Sequence, residues 1–404
     1  MTKPTSSVKS SFSKSSPLMH NYGRADIAFS HGEGCYLFDT KGIRYLDAIS
    51  GIAVNALGHA HPGFTAAIQQ QVARLVHVSN LYQIPEQIKL ASVLCKRSGM
   101  QQAFFCNSGA ESIEAAIKLA RKYGSKRGIK KPTIIVTDGA FHGRTMGALA
   151  ATHSPKYQEG FTPMLEGFVR VPYNDVAAIN AAIAKHAANV VAILVEPAQG
   201  EGGVRKPSAT YLNELRSLCD QHDMLLMLDE VQTGNGRSGK WFAYQHNGIL
   251  PDVLSTAKGL GNGFPIGACL TAGKAFDIFQ PGHHGSTFGG SPLASAAGLA
   301  VYEALDKEKL VQNAAKRGKQ IHQGLQKALK GCTELKEIRS LGLLIGVELH
   351  HDCGELVMAA RKRGLLINVA SGNVIRLAPP LVLDEAEADF IVTVVCEIVK
   401  EFRP

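Results

Sequence analysis

Met224-Leu225-Leu226-Met227-Leu228-Asp229-Glu230-Val231-Gln232 is the stretch that decides how this sequence is read. Five apolar residues in a row, with no polar member on either face, fit a short strand buried on both sides. That is the environment of a central strand in a parallel sheet. Two acids follow at once. A carboxylate at the carboxyl end of such a strand lies where open α/β sheets bind their ligands. A helix cap or a surface acid has the same local sequence, so the acid alone does not define a site.

Working outward, similar apolar runs recur at Gln101–Cys106, Thr133–Thr137 and Val190–Val195. Helical patterns lie between them. Glu111–Tyr123 has apolar residues at 113, 116, 117 and 120, and Tyr211–Gln221 behaves alike. Alternation of this kind predicts an α/β fold, with a mostly parallel central sheet flanked by helices over about residues 60–295. The character changes after Pro292. A long helical stretch, Leu293 to about Leu329, leads into shorter strands at Leu343–Leu349 and Val374–Leu377. We expect three parts: 1–60, an arm and segment packing with the small domain; 61–293, a large domain; and 294–404, a smaller α+β domain.

The bulk numbers fit an ordinary globular enzyme. Of 404 residues 45% are hydrophobic and 19% charged, and the net charge is +9. Apart from short patches such as Lys126, Arg127, Lys130 and Lys131, the basic residues are scattered among acids. A taste for small anionic substrates accounts for the charge better than nucleic acid does. The eight cysteines form no C-x-x-C pair, which argues against a zinc ribbon or a disulfide scaffold and for free thiols in a reducing compartment. No apolar run reaches the ~18 residues of a membrane span. Residues 1–17 are rich in Ser and Lys with no acid and no apolar core, so a disordered arm and a cytoplasmic location are expected.

Two features imitate other chemistries. Gly234-Asn235-Gly236-Arg237-Ser238-Gly239-Lys240 fits both G-x-G-x-x-G and G-x-x-x-x-G-K, yet Trp241 stands where a P-loop needs Ser or Thr, and no helix opens. His59 and His61 could pair on a metal, but they precede Pro62 and a helical pattern, with no further ligands nearby, so no metal is expected. Two other features carry more weight. Lys258 stands among small residues with no adjacent acid, in Ser255-Thr256-Ala257-Lys258-Gly259-Leu260-Gly261. Partial burial would depress its pKa and leave a usable amine nucleophile. Ser108-Gly109-Ala110-Glu111 sits at a strand-to-helix junction, where backbone N–H groups bind phosphate. Ser108 and Glu111 also fit a capping box.

A strand-end Asp229, Lys258 29 residues later and an upstream Ser-Gly-Ala turn together resemble the class III aminotransferases of pyridoxal 5′-phosphate (PLP) fold type I. The resemblance runs from about residue 20 to the end. It rests also on 50–62 (SGIAVNALGHAHP), 107–121 (NSGAESIEAAIKLAR), 141–145 (FHGRT), 228–239 (LDEVQTGNGRSG), 256–268 (TAKGLGNGFPIGA), 285–290 (GSTFGG) and 373–380 (NVIRLAPP). It implies PLP as cofactor and Lys258 as the residue that holds it and moves the proton. Asp229 would face the pyridine nitrogen, with Glu230 beside it. Phe141 and Val231 would flank the ring, and Gln232 would meet its phenolic oxygen. Ser108, Gly109 and Ala110 would hold the phosphate, with Thr287 reaching it from the neighbouring subunit of a homodimer.

Within the family the likeness is greatest to members acting on N2-acetyl-L-ornithine and 2-oxoglutarate. Arg144 and Ser286 then meet the donor, Arg376 grips the 2-oxoglutarate carboxylate, and Glu196 is expected to mask Arg376 in the first half-reaction. Succinylornithine, N-succinyl-diaminopimelate, ornithine and 4-aminobutyrate are the alternative donors. No tyrosine stands near Gly51-Ile52, which points away from free ornithine. A non-catalytic relative would be expected to lose Lys258 or Asp229, and both are present.

Overall fold

The computed structural model describes residues 17–186 and 189–404. The expected disordered arm, apart from Pro17, lies outside them. A seven-stranded sheet forms the centre. In chain order its strands are β1 (Gln102–Cys106), β2 (Thr133–Thr137), β3 (Phe168–Val171), β4 (Val190–Val195), β5 (Leu225–Asp229), β6 (Val253–Thr256) and β7 (Gly267–Thr271). In space they run β1-β7-β6-β5-β4-β2-β3. All pairings from β6 to β3 are parallel, whereas β7 runs antiparallel to both its neighbours. Every residue of β4, β5, β6 and β7 is buried, which the apolar runs of β4 and Leu225–Leu228 fit and which also encloses the polar ends of β5, β6 and β7. The carboxyl ends of the parallel strands therefore converge on one edge.

Two smaller four-stranded sheets complete the fold. The first joins Phe29–Glu33, Tyr36–Asp39 and Arg44–Asp47 to Leu365–Leu366, with Leu365 paired to Leu46. The N-terminal strands thus share a sheet with the C-terminal segment. The second sheet is antiparallel and holds Leu335–Leu341, Leu344–Leu349, Val374–Leu377 and Asn368–Ala370.

The expected single helix from Leu293 to Leu329 is two helices, Pro292–Lys307 and Leu310–Ala328. Lys309 breaks the run with φ +54°. The break lets each half bury its apolar face on a different partner. The first packs on Pro62–Val72 and Pro85–Ser98, the second on Glu385–Glu401.

The look-alike turn at 234–239 joins distant parts of the chain. Arg237 is buried; its carbonyl accepts from Leu343 N at 3.0 Å, and its guanidinium donates to the Leu343 and Pro379 carbonyls. His59 and His61 also have ordinary partners: Asp47 for the first, and Glu308 together with the helix N-terminus at Phe64 for the second, all through side-chain nitrogens. Among the described residues no helix is long and apolar enough to cross a membrane.

Candidate active site

The carboxyl edge of the large sheet opens into a cavity of about 380 Å³. Its walls include Ser108, Gly109 and Ala110 after β1, Phe141 to Arg144 after β2, and Glu196 and Glu201 after β4. Asp229, Val231 and Gln232 after β5 and Lys258 after β6 close it. Residues scattered over 150 positions of sequence thus meet because parallel strands all end at the same edge.

Asp229 terminates β5 and is 4% exposed. Its Oδ1 accepts from Val231 N at 3.0 Å, and its Oδ2 lies 2.7 Å from His142 Nδ1. Among the described residues no lysine or arginine ion-pairs with it. A buried carboxylate without a fixed cation is suited to a ligand that brings a positive charge.

Lys258 follows β6 with φ +47°, a left-handed conformation uncommon for a side-chain-bearing residue. Asn235 braces this turn. Its Nδ2 donates to Thr256 Oγ1 at 2.9 Å and to the Ala257 carbonyl at 3.1 Å, while Tyr302 Oη donates to its Oδ1 at 2.8 Å. Burial, with the nearby Arg376 guanidinium second, holds the Lys258 ammonium below the ordinary lysine range. The neutral amine that a nucleophile needs is thereby favoured.

Ser108 caps the helix Gly109–Lys126, its Oγ accepting from Glu111 N at 3.2 Å. The expected capping box is only half formed. Glu111 Oε2 accepts from Asn107 N and Nδ2, both at 2.8 Å, instead of the Ser108 backbone. First-turn N–H groups have no intrahelical acceptor, so this end offers donors and a positive dipole to an anion in the cavity. Gly109 leaves the space it must: a Cβ there would stand 2.8 Å from Val231 Cγ1. An anion cradle, an amine of depressed pKa and a carboxylate with no lysine or arginine partner on one cavity fit the phosphate, aldehyde and ring nitrogen of PLP.

Two further acids are buried nearby. Glu230 does not line the cavity. Its carboxylate accepts from Thr233 Oγ1, Ala243 N and Tyr244 N, and burial pushes its pKa up to about 7. Glu196 accepts from Phe141 N at 3.1 Å and Gly200 N at 3.2 Å. Burial, then the Asp229 charge, pushes it up to about 8.

The structure corrects the expected partner of Arg376. Arg376 is 2% exposed, and its Nη1 is 2.7 Å from Glu201 Oε1. Its Nε donates to Asn368 Oδ1 at 3.0 Å. The carboxylate on Arg376 is Glu201, whereas Glu196 is taken up by the backbone N–H groups of Phe141 and Gly200. Arg144, at the mouth, has no ion pair among the described residues. It lies on aromatic rings, 3.5 Å from the Tyr157 centroid and 5.7 Å from that of Phe141.

Ser286 and Thr287 stand outside this wall. Ser286 Oγ accepts from Asn107 Nδ2 at 3.2 Å and from Gly289 N at 3.1 Å, and Thr287 is exposed. His142, Asn235, Glu201 and Tyr157 are the residues that sequence reasoning passed over. The 141–145 motif contained His142, but nothing in it showed that the ring turns toward Asp229.

The family model for Aminotransferase class-III matches residues 19–399. The chain is a class III aminotransferase. This aminotransferase uses PLP as its cofactor. It is 51% identical over 387 residues to the acetylornithine aminotransferase of Nitrosomonas europaea, covering 96% of this chain and 98% of that one. It is 50% identical to the acetylornithine aminotransferase of Gloeobacter violaceus, over 92% and 93% of the two chains. Among solved structures, the ornithine aminotransferase of Toxoplasma gondii superposes with a TM-score of 0.91 at 33% identity, covering 95% of this chain and 92% of that one. The acetylornithine aminotransferase of Elizabethkingia anophelis gives 0.84 at 34%, covering 95% and 96%.

Proposed function

We propose that this aminotransferase moves the terminal amine of N2-acetyl-L-ornithine to 2-oxoglutarate, giving N-acetyl-L-glutamate 5-semialdehyde and L-glutamate, a step of arginine biosynthesis. The observation that carries this reading is the unequal state of two arginines, Arg144 on the cavity wall and Arg376 buried behind Glu201, which lines it. Arg144 is open to a carboxylate, and Arg376 is already held by Glu201. A donor that reacts at its terminal amine carries its α-carboxylate far from the reacting carbon and suits Arg144. 2-Oxoglutarate carries a carboxylate next to that carbon and suits Arg376, which can grip it through two parallel bonds once Glu201 withdraws. High identity to enzymes named for acetylornithine supports the donor.

PLP, when bound, would supply an electron sink for the carbon that loses its proton and a carrier for the amino group in a ping-pong reaction. Lys258 Nζ holds the cofactor, and when released it takes a proton from the reacting carbon and returns it as acid. Asp229 keeps the ring nitrogen positive, with His142 fixing the carboxylate. Phe141 and Val231 would hold the ring, Gln232 would meet its phenolic oxygen, and Ser108, Gly109 and Ala110 would bind the phosphate. Glu230 acts one step back, fixing the turn that follows β5. Thr287, exposed in the single chain, reaches the phosphate site of a second copy in a homodimer, and Ser286 beside it meets the donor. Exposed apolar residues around this segment, Leu81, Tyr82 and Phe288 among them, support an interface there.

The test is the visible absorbance of the PLP-loaded enzyme. Addition of N2-acetylornithine alone should bleach the band of the lysine-bound cofactor, and 2-oxoglutarate should restore it. Ornithine and 4-aminobutyrate should do so poorly. Bleaching only by another amine would replace the donor.

A further inference from the structure

We propose that Tyr157 is a specificity-determining positioning residue: its ring holds the Arg144 guanidinium at the cavity mouth, in the pose that receives the remote carboxylate of the amino donor. The inference rests on the reading of N2-acetylornithine as that donor.

Arg144 is exposed and has no acid to fix it among the described residues. A long side chain in that situation samples many rotamers, and ordering it on binding costs entropy. Tyr157 removes part of that cost in advance. The Arg144 Cζ lies 3.5 Å from the Tyr157 ring centroid, well inside the ~6 Å range of a cation–π contact. The ring leaves the N–H fork free, whereas an ion pair would have filled it. Phe141 flanks the same guanidinium at 5.7 Å and meets Tyr157 edge-on, with centroids 6.1 Å apart and planes at 84°. Phe141 also lines the cavity, so the two aromatic rings tie the mouth to the cofactor site.

Both partners are fixed by the backbone around them. The residues after Arg144 are pinned by Glu114 Oε1, which accepts from Thr145 Oγ1 at 2.5 Å, Gly147 N at 2.9 Å and Ala148 N at 3.0 Å. The turn carrying Tyr157 is pinned by Gln158, whose Nε2 donates to the Leu149 and Thr152 carbonyls at 3.1 and 3.0 Å. Tyr157 is half-buried and its ring is set by this packing. Arg376 is held by a carboxylate and needs no such support. The effect should therefore be confined to one half-reaction.

The experiment follows the cofactor band of the holoenzyme in each half-reaction separately. Tyr157→Met fills the volume without a π face; Tyr157→Phe keeps the face and loses only the hydroxyl. We expect Y157M to raise the half-saturating N2-acetylornithine concentration ~3- to 30-fold, the range of a cation–π contact, with the maximal rate held within ~2-fold. The constant for 2-oxoglutarate should not move, and Y157F should match the parent enzyme. Arg144→Lys supplies a second arm that does not disturb Tyr157. It keeps the charge but loses the planar stack, and should raise the same donor constant. Equal losses in both half-reactions with Y157M, or a parent-like donor constant in Y157M or R144K, would overturn the assignment. If the parent enzyme itself does not react with N2-acetylornithine, the donor reading fails, and this inference fails with it.

Discussion

Neutralising Glu201 should change which acids the enzyme accepts while leaving N2-acetylornithine almost untouched. Exposed ion pairs contribute ~0.2–1 kcal/mol, and breaking a fully buried one costs ~3–5 kcal/mol. The Arg376–Glu201 pair lies between these limits, with side-chain exposures of 2% and 30%, so about 1–2 kcal/mol is a reasonable figure after solvent screening. Any substrate that places a carboxylate on Arg376 must first displace Glu201 and forgo that energy. In Glu201→Gln the charge is gone, and Asn368 and Gln232 still accept from the guanidinium. Binding of glutamate and 2-oxoglutarate should then tighten ~5- to 30-fold, which is that energy expressed as a ratio. N2-Acetylornithine, anchored on Arg144, should change less than ~3-fold. The assay is stopped-flow absorbance of the cofactor band, with each substrate titrated alone. An unchanged glutamate-to-acetylornithine ratio in E201Q would refute the masking argument. So would a shifted ratio in Glu196→Gln, because Glu196 is bound to backbone N–H groups and not to Arg376.

Lys258, proposed to hold the cofactor, has its own pH signature. Its pKa is depressed, so the neutral amine appears at lower pH than in a free lysine; the rate at which the apo chain captures PLP should rise with pH and level off well below ~10.5. Lys258→Ala should give no stable visible band, and a capture rate still climbing at pH 10 would contradict the depression. Gly109→Ala sets a Cβ 2.8 Å from Val231 Cγ1 beside the phosphate cradle. Overpacking of ~1–3 kcal/mol should weaken PLP ~5- to 150-fold by fluorescence titration. Asn235→Ala removes the brace behind Lys258 and leaves Tyr302 Oη without its acceptor. A stability loss of ~1–3 kcal/mol should appear as a lower Tm, together with faster loss of cofactor on dialysis.

The sheet was legible in the sequence because its signal is local. Each of β2, β4 and β5 is a run of apolar residues long enough to be one strand and too short to be a helix. The bounds of Thr133–Thr137, Val190–Val195 and Tyr211–Gln221 came out as expected. The break at Lys309 was not legible, since the periodic pattern continues through it and only the packing of each half on different helices requires a turn. The same limit applies to the site. Asp229 could be picked out because it stands directly at the end of an apolar run, and Lys258 because it stands among small residues with no adjacent acid. Tyr157 and Asn235 act on residues that the chain reaches only after folding.

Glu196 and Glu201 show most clearly where a linear reading fails. Both follow β4, five residues apart, and by position alone either could meet Arg376, which lies on a different sheet. Tertiary hydrogen bonds separate their roles. The N–H groups of Phe141 and Gly200 fix Glu196 against the sheet, where burial raises its pKa to about 8. The nearby Asp229 charge adds to that rise, so the protonated form of Glu196 is favoured more than in a free carboxyl. Two adjacent ionised carboxylates would repel each other and compete for one cation. Glu196, turned to the backbone of Phe141 and Gly200, leaves Asp229 as the carboxylate proposed to face the ring nitrogen. Glu201, beyond the bend at Gly200, is partly exposed and can swing away from Arg376 at small cost. The buried acid is held by backbone N–H groups, and the partly exposed one is the acid that the proposal requires as a removable cover.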